Sequence, residues 1–341
     1  MSKTGKSARV VLRSYPVGTP RVEDFALEMQ DVPAPSAGQV LVETHFLSMD
    51  PAPRLRMNAA PGGPPPLPLG ETVMGRGAGV VIISADERFK AGDIVAGELG
   101  WQEHSLAPAA QLRAVNPSLG PMQWSLGILG PSGITGWCLV HRAAAVRSAE
   151  AVLVSAADGS VGSVALQLAK GLGARTIALV GGERQRQFAQ IELQADAVVD
   201  YQSPGFDTEL AAAAGNGIDV FLDSIGGELH NKVMAHIAPR ARIIAFGFIS
   251  AYNAQGKAAE YGRIYELIRK RAQLRGFLVG DYASEFPSIM GELSALLARG
   301  ALRNFEHCDS GIDAVPRSFV RLFTGDPLGK QLVRLRGNDP S

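Results

Sequence analysis

VLVSAADGSVGSVALQLAK, residues 152–170, decides the fold. A short apolar run is followed by a cluster of small residues. Val161, Val164, Ala165, Leu168 and Leu172 then fall at helical spacing and form one apolar stripe. The segment therefore reads as strand, tight turn and helix. Within the turn, Ala157, Gly159 and Gly162 occupy the three small positions of the GxGxxG pattern, with Ala in the first. A side chain at Gly159 blocks the approach of backbone to a pyrophosphate, and one at Gly162 pushes the helix off the strand. An anion held there meets free backbone N–H groups and the positive end of the helix dipole.

Outward from this segment the same alternation continues. Solid apolar runs occur at 151–155, 176–180, 197–199, 219–223, 242–246 and 277–279, with stretches of helical period between them. Unbroken runs of this length suit strands buried on both faces, as in a parallel sheet covered by helices. The later stripe Phe286, Ile289, Met290, Leu293, Leu296 and Leu297 is one more helix. This is the pattern of a doubly wound α/β domain. Before about residue 130 the texture differs. Short alternating segments at 10–12, 40–46, 80–83 and 94–95 are separated by Pro and Gly clusters and read as an antiparallel β domain. The tail GKQLVRLRG, 329–337, reads as a further strand.

Composition narrows the function. The chain has 341 residues, long enough for two domains. Lys and Arg number 33 and Asp and Glu also 33, without a block of one sign, so neither nucleic acid nor an anionic membrane is the expected partner. A small molecule is. Cys138 and Cys308 cannot build a disulfide framework, which fits a reducing cytoplasm. The basic start MSKTGK leads into no apolar stretch of a signal peptide, and no run of about 18 apolar residues occurs later. An unprocessed, cytoplasmic protein is expected.

Which dinucleotide binds is read from the end of the second strand, LVGGERQRQ. Gly181 and Gly182 stand where an acid would take the ribose hydroxyls of NAD; Arg184 and Arg186 follow, and a guanidinium matches the extra phosphate of NADP. Glu183 is the one contrary charge. Catalytic zinc needs Cys, His or Glu ligands around an open position. His45 and His104 lie in the β domain with neither Cys nor a closely spaced second His beside them, and read as structural or surface residues. No GxSxG elbow supplies a nucleophile. No metal is expected, and the coenzyme must carry the reactivity.

Several blocks in one order make the chain resemble the medium-chain dehydrogenase/reductase superfamily. Within it, the sequence is similar to the zinc-independent branch of prostaglandin reductases, alkenal double-bond reductases and curcumin reductases. The blocks are SMDPAPRLRM (48–57), VMGRGAG (73–79), LGILGPSGITGW (126–137), AADGSVGSVALQLAK (156–170), DVFLDSIGGE (219–228), GFISAYN (247–253), RGFLVGDY (275–282) and GKQLVRL (329–335). The resemblance implies a GroES-like substrate domain over 1–128, a Rossmann domain binding NADPH over 129–304, and a segment, 305–341, returning to the GroES-like domain. GRG at Gly75 to Gly77 stands where zinc enzymes carry the ligand motif GHE.

Carried over residue by residue, Ala157, Gly159, Ser160, Val161 and Gly162 line the pyrophosphate. Gly182, Arg184, Arg186 and Tyr201 lie around the 2′-phosphate. Ile225 and Gly226 border the cofactor ribose. Phe277 and Val279 belong to the strand that holds the nicotinamide carboxamide, and Thr135 lies close to the nicotinamide. Tyr252, in the family pattern ISxYN, faces the substrate and is the expected catalytic residue, donating to the enolate oxygen that develops as hydride adds to an enone. A pocket-shaping role for it is the rival reading, with a ribose hydroxyl or water donating instead. Three positions depart from relatives. Ala52 replaces a usual Tyr, Pro327 a usual Asn, and Trp137 a usual Tyr near the nicotinamide. The expected activity is NADPH-dependent saturation of the C=C bond of an enal or enone, in a homodimer. A zinc-free quinone reductase and a catalytically silent NADPH-binding protein are the alternatives.

Overall fold

Strand pairing separates the chain into two bodies. The computed structural model describes residues 5–59, 65–253, 262–325 and 328–336. Of these, 5–127, 306–325 and 330–336 form one unit, and those of 128–305 with 328–329 form the other.

In the first unit, β1 (Lys6–Leu12) pairs antiparallel with β2 (Phe25–Asp31). A second, mostly antiparallel sheet is built on β3 (Gln39–Ser48) and β4 (Arg76–Ser84), extended by β5 (Ile94–Glu98), β6 (His104–Pro108) and β7 (Leu112–Ala114). β2 had no readable alternation because most of its side chains are solvated, so neither face imposes an apolar period.

The second unit holds a six-stranded parallel sheet. Its strands are β8 (Ala151–Ser155), β9 (Arg175–Val180), β10 (Ala197–Asp200), β11 (Ile218–Asp223), β12 (Ile237–Ala245) and β13 (Gln273–Gly276), in the order β10-β9-β8-β11-β12-β13. The chain winds outward from β8 through β9 to β10, then returns to lay β11 against the other side of β8. The strand order thus reverses between β8 and β11, where doubly wound sheets open a crevice beyond their carboxyl ends. Helix α1 (Pro131–Cys138) precedes β8; α2 (Gly162–Gly171), α3 (Glu183–Ile191), α4 (Phe206–Ala214) and α5 (Gly227–Met234) connect the strands up to β12. The short α6 (Ile249–Tyr252) and α7 (Ile264–Lys270) lie between β12 and β13, and α8 (Phe286–Ala298) follows. Leu153, Ile177, Leu179, Phe221 and Ile243 from neighbouring strands pack with Phe206 and Leu210 of α4 and Val233 of α5. Burial of each such large side chain contributes about 1.5–3 kcal/mol, and this core fixes where the strand ends sit.

The expected strand at 277–279 is a correction. β13 lies earlier, because its partner β12 ends at Ala245, which pairs with Gly276. Phe277 donates one further N–H to Ala245 O, and Val279 already opens a 3₁₀ segment, Val279–Glu285.

The chain then re-enters the first unit as β14 (Glu306–Ser310), α9 (Val315–Arg321) and β15 (Lys330–Arg334). β15 pairs parallel with β14 and antiparallel with β3, which answers where the tail strand docks. Among the described residues no helix is long and apolar enough to cross a membrane.

Candidate active site

The turn after β8 is shaped by its own backbone. Ala156 adopts a left-handed conformation (φ 47°), and Gly159 N–H closes the bend onto Ala156 O at 2.9 Å. Ser163 N–H then reaches Gly159 O at 3.0 Å, so the groups a helix start leaves without an intrahelical acceptor are those of Ser160, Val161 and Gly162. A Cβ on Gly162 would stand 2.2 Å from Ala156 O, whereas one on Gly159 meets only Ala156 O, at 3.2 Å. One glycine is demanded by the fold; the other keeps space above the turn. This is what a pyrophosphate cradle requires, and the residues present fit a dinucleotide.

α1 runs beside the turn: Ser132 Oγ donates to Ser160 Oγ at 3.2 Å, and Thr135 is one helical turn further along the same face. Trp137 points elsewhere. Its ring lies 4.6 Å from that of His141, with the Arg142 guanidinium over it, so the substitution there does not bear on the Thr135 side of the helix.

Sequence reasoning passed over Asp158 within the turn. Its carbonyl accepts from Gly329 N–H at 2.7 Å, and burial pushes its carboxyl up to about 6. It faces Tyr201, whose hydroxyl is raised by its own burial first and by Asp158 and Asp200 second. An acid in this place carries no signal in the GxGxxG spacing, because the pattern leaves that position open.

At the end of β9, the Tyr201 hydroxyl closes over Gly181, where a Cβ would come within 2.2 Å of it. Gly182 donates its N–H to Asp200 Oδ1 at 2.9 Å, and Asp200 is buried. Tyr201 thus lies against the Gly181–Gly182 segment. The two arginines part company. Arg186 Nη2 lies 2.7 Å from Glu209 Oε2 and its Nε 3.7 Å from Glu183, so the guanidinium faces α4 and β10 instead of the glycine pair. α3 starts at Glu183 and carries residue 186 round to the side that meets α4. Arg184 is exposed at the start of the helix.

β8 and β11 are adjacent, so the loop Ile225–Gly226 stands beside the glycine turn. Phe277 sits at the end of β13, stacked on Tyr282 at 5.7 Å. Tyr252 closes α6, half-buried, and burial raises its hydroxyl above the ordinary tyrosine range. It stays protonated and able to donate throughout the neutral range. All these residues lie at or just beyond the carboxyl ends of the parallel strands, save Thr135 on α1.

Ala52, in the first unit, is exposed; Pro327 lies outside the described residues. His45 and His104 are less isolated than their sequence context suggests. Both face Glu43, at 3.4 and 3.9 Å, and Arg336 takes the same carboxylate at 3.2 Å. Among the described residues no three His, Cys, Asp or Glu side chains gather as a metal ion requires.

Family models match in the same order as the two halves of the fold: an N-terminal domain of oxidoreductase over residues 8–115, and a domain described as zinc-binding dehydrogenase over 160–295. The chain is 35% identical to a putative NADP-dependent oxidoreductase of Bacillus subtilis, over 99% of this chain and 100% of that one. It is 31% identical to the NADPH-dependent curcumin reductase of Escherichia coli, over 98% of each. Among solved structures, CurA of Vibrio vulnificus in complex with NADPH superposes with a TM-score of 0.90 at 30% identity, covering 97% of this chain and 100% of the other. With a glycine turn at the switch point, a β domain rejoined by the last strand and relatives alike from end to end, the chain belongs to the zinc-independent medium-chain dehydrogenases/reductases, in the branch of the curcumin, alkenal and prostaglandin reductases.

Proposed function

We propose that the chain is an NADPH-dependent ene-reductase that saturates the C=C bond of an α,β-unsaturated aldehyde or ketone. The observation that carries this reading is the placement of Tyr252, half-buried at the end of α6 beyond the carboxyl end of β12. Ala157 and Gly159 to Gly162 hold the pyrophosphate, Gly182, Arg184 and Tyr201 the 2′-phosphate, and Ile225 and Gly226 border the cofactor ribose. Thr135, Phe277 and Val279 flank the nicotinamide, the last two through backbone beyond β13. When bound, NADPH supplies the hydride, which goes to the β carbon of the substrate. Tyr252 donates a hydrogen bond to the carbonyl oxygen as negative charge gathers there, and such a donor is worth more in the transition state than in the ground state. The α carbon then takes a proton from solvent.

A homodimer fits the second unit: β13 is a sheet edge, and Ile264, Ile268 and Leu278 near it are exposed, a surface that a second copy covers by symmetry. The free thiols of Cys138 and Cys308 suit a reducing cytoplasm. The test is NADPH oxidation with a panel of enals, enones and quinones, with product analysis. Saturated aldehydes or ketones are expected. Turnover of quinones alone makes the chain a quinone reductase, and cofactor binding without turnover of any of them makes it a silent binding protein.

A further inference from the structure

We propose that His230 is a positioning residue for Tyr252. It acts by holding Asp223, which shapes the loop Ser224–Gly226, on which α6 rests. The proposal rests on the donor role given to Tyr252 above.

Both members of the pair are about 1% exposed, with His230 Nδ1 2.8 Å from Asp223 Oδ2. The other carboxyl oxygen, Oδ1, accepts the N–H groups of Ile225 and Gly226, each at 3.0 Å. Through these contacts one buried carboxyl group ties the first turn of α5 to the strand-end loop. The His230 ring also stacks on Phe221 of β11, with centroids 5.8 Å apart. Ser155 at the end of β8 adds a second anchor, its Oγ accepting from Ser224 N–H at 2.8 Å.

The loop in turn carries α6. Ser224 O accepts from Ile249 N–H at 3.1 Å; Ile225 O accepts from Ser250 N–H at 3.1 Å and from Ser250 Oγ at 2.6 Å. A helix of four residues cannot hold itself, since nucleating one turn costs more than its few hydrogen bonds return. Its orientation, and with it the direction of the Tyr252 hydroxyl, is therefore set by the loop. The chain of contacts runs from His230 through Asp223, Ile225, Ser250 and Ala251 to Tyr252, each link a hydrogen bond or a chain neighbour.

The experiment compares full-length wild type, His230→Phe and His230→Asn, each with Tyr252 and with Tyr252→Phe. Phe keeps a ring against Phe221 and deletes the donor, while Asn keeps an N–H near the position of Nδ1. Hydrogen–deuterium exchange is followed at 222–226 and 247–253, alongside NADPH affinity by fluorescence and kcat with an enone. In His230→Phe, exchange rises in both segments and kcat falls about tenfold or more, and His230→Asn recovers most of the loss. With Tyr252→Phe already present, His230→Phe costs less than about threefold further, the non-additivity expected of residues acting through one another. Unchanged exchange at 247–253, or an equal loss in both backgrounds, overturns the proposal. If Tyr252→Phe alone leaves kcat intact, the donor role fails, and the exchange at 247–253 alone decides whether His230 governs α6. Should His230→Phe fail to fold, His230→Gln, whose amide reaches towards the position of Nε2 instead of Nδ1, is followed in its place: faster exchange at 247–253 supports the proposal, and none overturns it.

Discussion

Two strand ends stand side by side at the switch point of the parallel sheet, and they are built by opposite means. The turn after β8 is dictated by backbone sterics, since any Cβ on Gly162 collides with Ala156 O. The loop after β11 is dictated by a buried carboxylate, a histidine and a serine that reach it from α5 and β8. Steric shaping leaves a fixed spacing of small residues. Shaping by buried partners leaves none, and its strength lies in hydrogen bonds that are costly to break once buried.

The largest expected effect breaks the first of these devices. Gly162→Ala forces α2 off β8 and should destabilise the protein by about 1–3 kcal/mol, seen as a lowered Tm, together with loss of NADPH binding by fluorescence titration. Gly159→Ala sharpens the contrast. Its Cβ meets only Ala156 O at 3.2 Å, so Tm should hold within about 1 kcal/mol of wild type while NADPH affinity still falls. Equal thermal loss in both variants would mean that the two glycines are not distinct.

On the β11 side, Tyr252→Phe should lower kcat for an enone about 10²–10³-fold with the NADPH dissociation constant unchanged, as for removal of one donor to a developing oxyanion. A fall in affinity with kcat intact would assign Tyr252 to binding. Smaller effects lie along the cofactor cradle. Arg184→Ala should weaken NADPH about tenfold and NADH not at all, the loss of one charge-assisted contact. Arg186→Ala loses its pair with Glu209, worth no more than about 1 kcal/mol of stability at this half-exposed place, and should leave the NADPH to NADH preference as it was. The double variant then behaves as the Arg184 single variant.

The smallest effect is one of pH. The Asp158 carboxyl, pushed up to about 6, lies above its unfolded value near 3.9, so the folded protein holds its proton longer. The stability this gives is fully present below about 4 and is lost as pH rises through about 6. Above that, an ionised Asp158 also repels the coenzyme phosphates. Asp158→Asn should therefore be more stable than wild type at pH 7.5 to about the same extent that wild type loses between about pH 4 and 6, and its NADP⁺ affinity should vary less with pH. Thermal unfolding and calorimetric titration at several pH values check both.

How much of this was legible beforehand follows from the same contrast. The runs at 151–155, 176–180 and 219–223 lie on observed strands because both faces of the central sheet are covered, and full burial writes a continuous apolar run. β13 was misplaced because it is a sheet edge, where only Leu274 of QLRG packs on the core and an apolar run formed just outside it. The strand–turn–helix geometry was readable from Ala157, Gly159 and Gly162. The direction of Arg186 was not, since it depends on Glu209, 23 positions away on another helix. Asp158 and the Asp223–His230 pair were invisible for the same reason: their character comes from burial and partners that no local spacing records.

Reduction of an enone with NADPH deuterated at the reactive carbon of the nicotinamide, followed by NMR of the product, tests the whole account most directly. Deuterium on the β carbon of a saturated ketone is the predicted result. Deuterium on the carbonyl carbon of an alcohol, or oxidation of the coenzyme by quinones alone with no label in a carbon position, would contradict it.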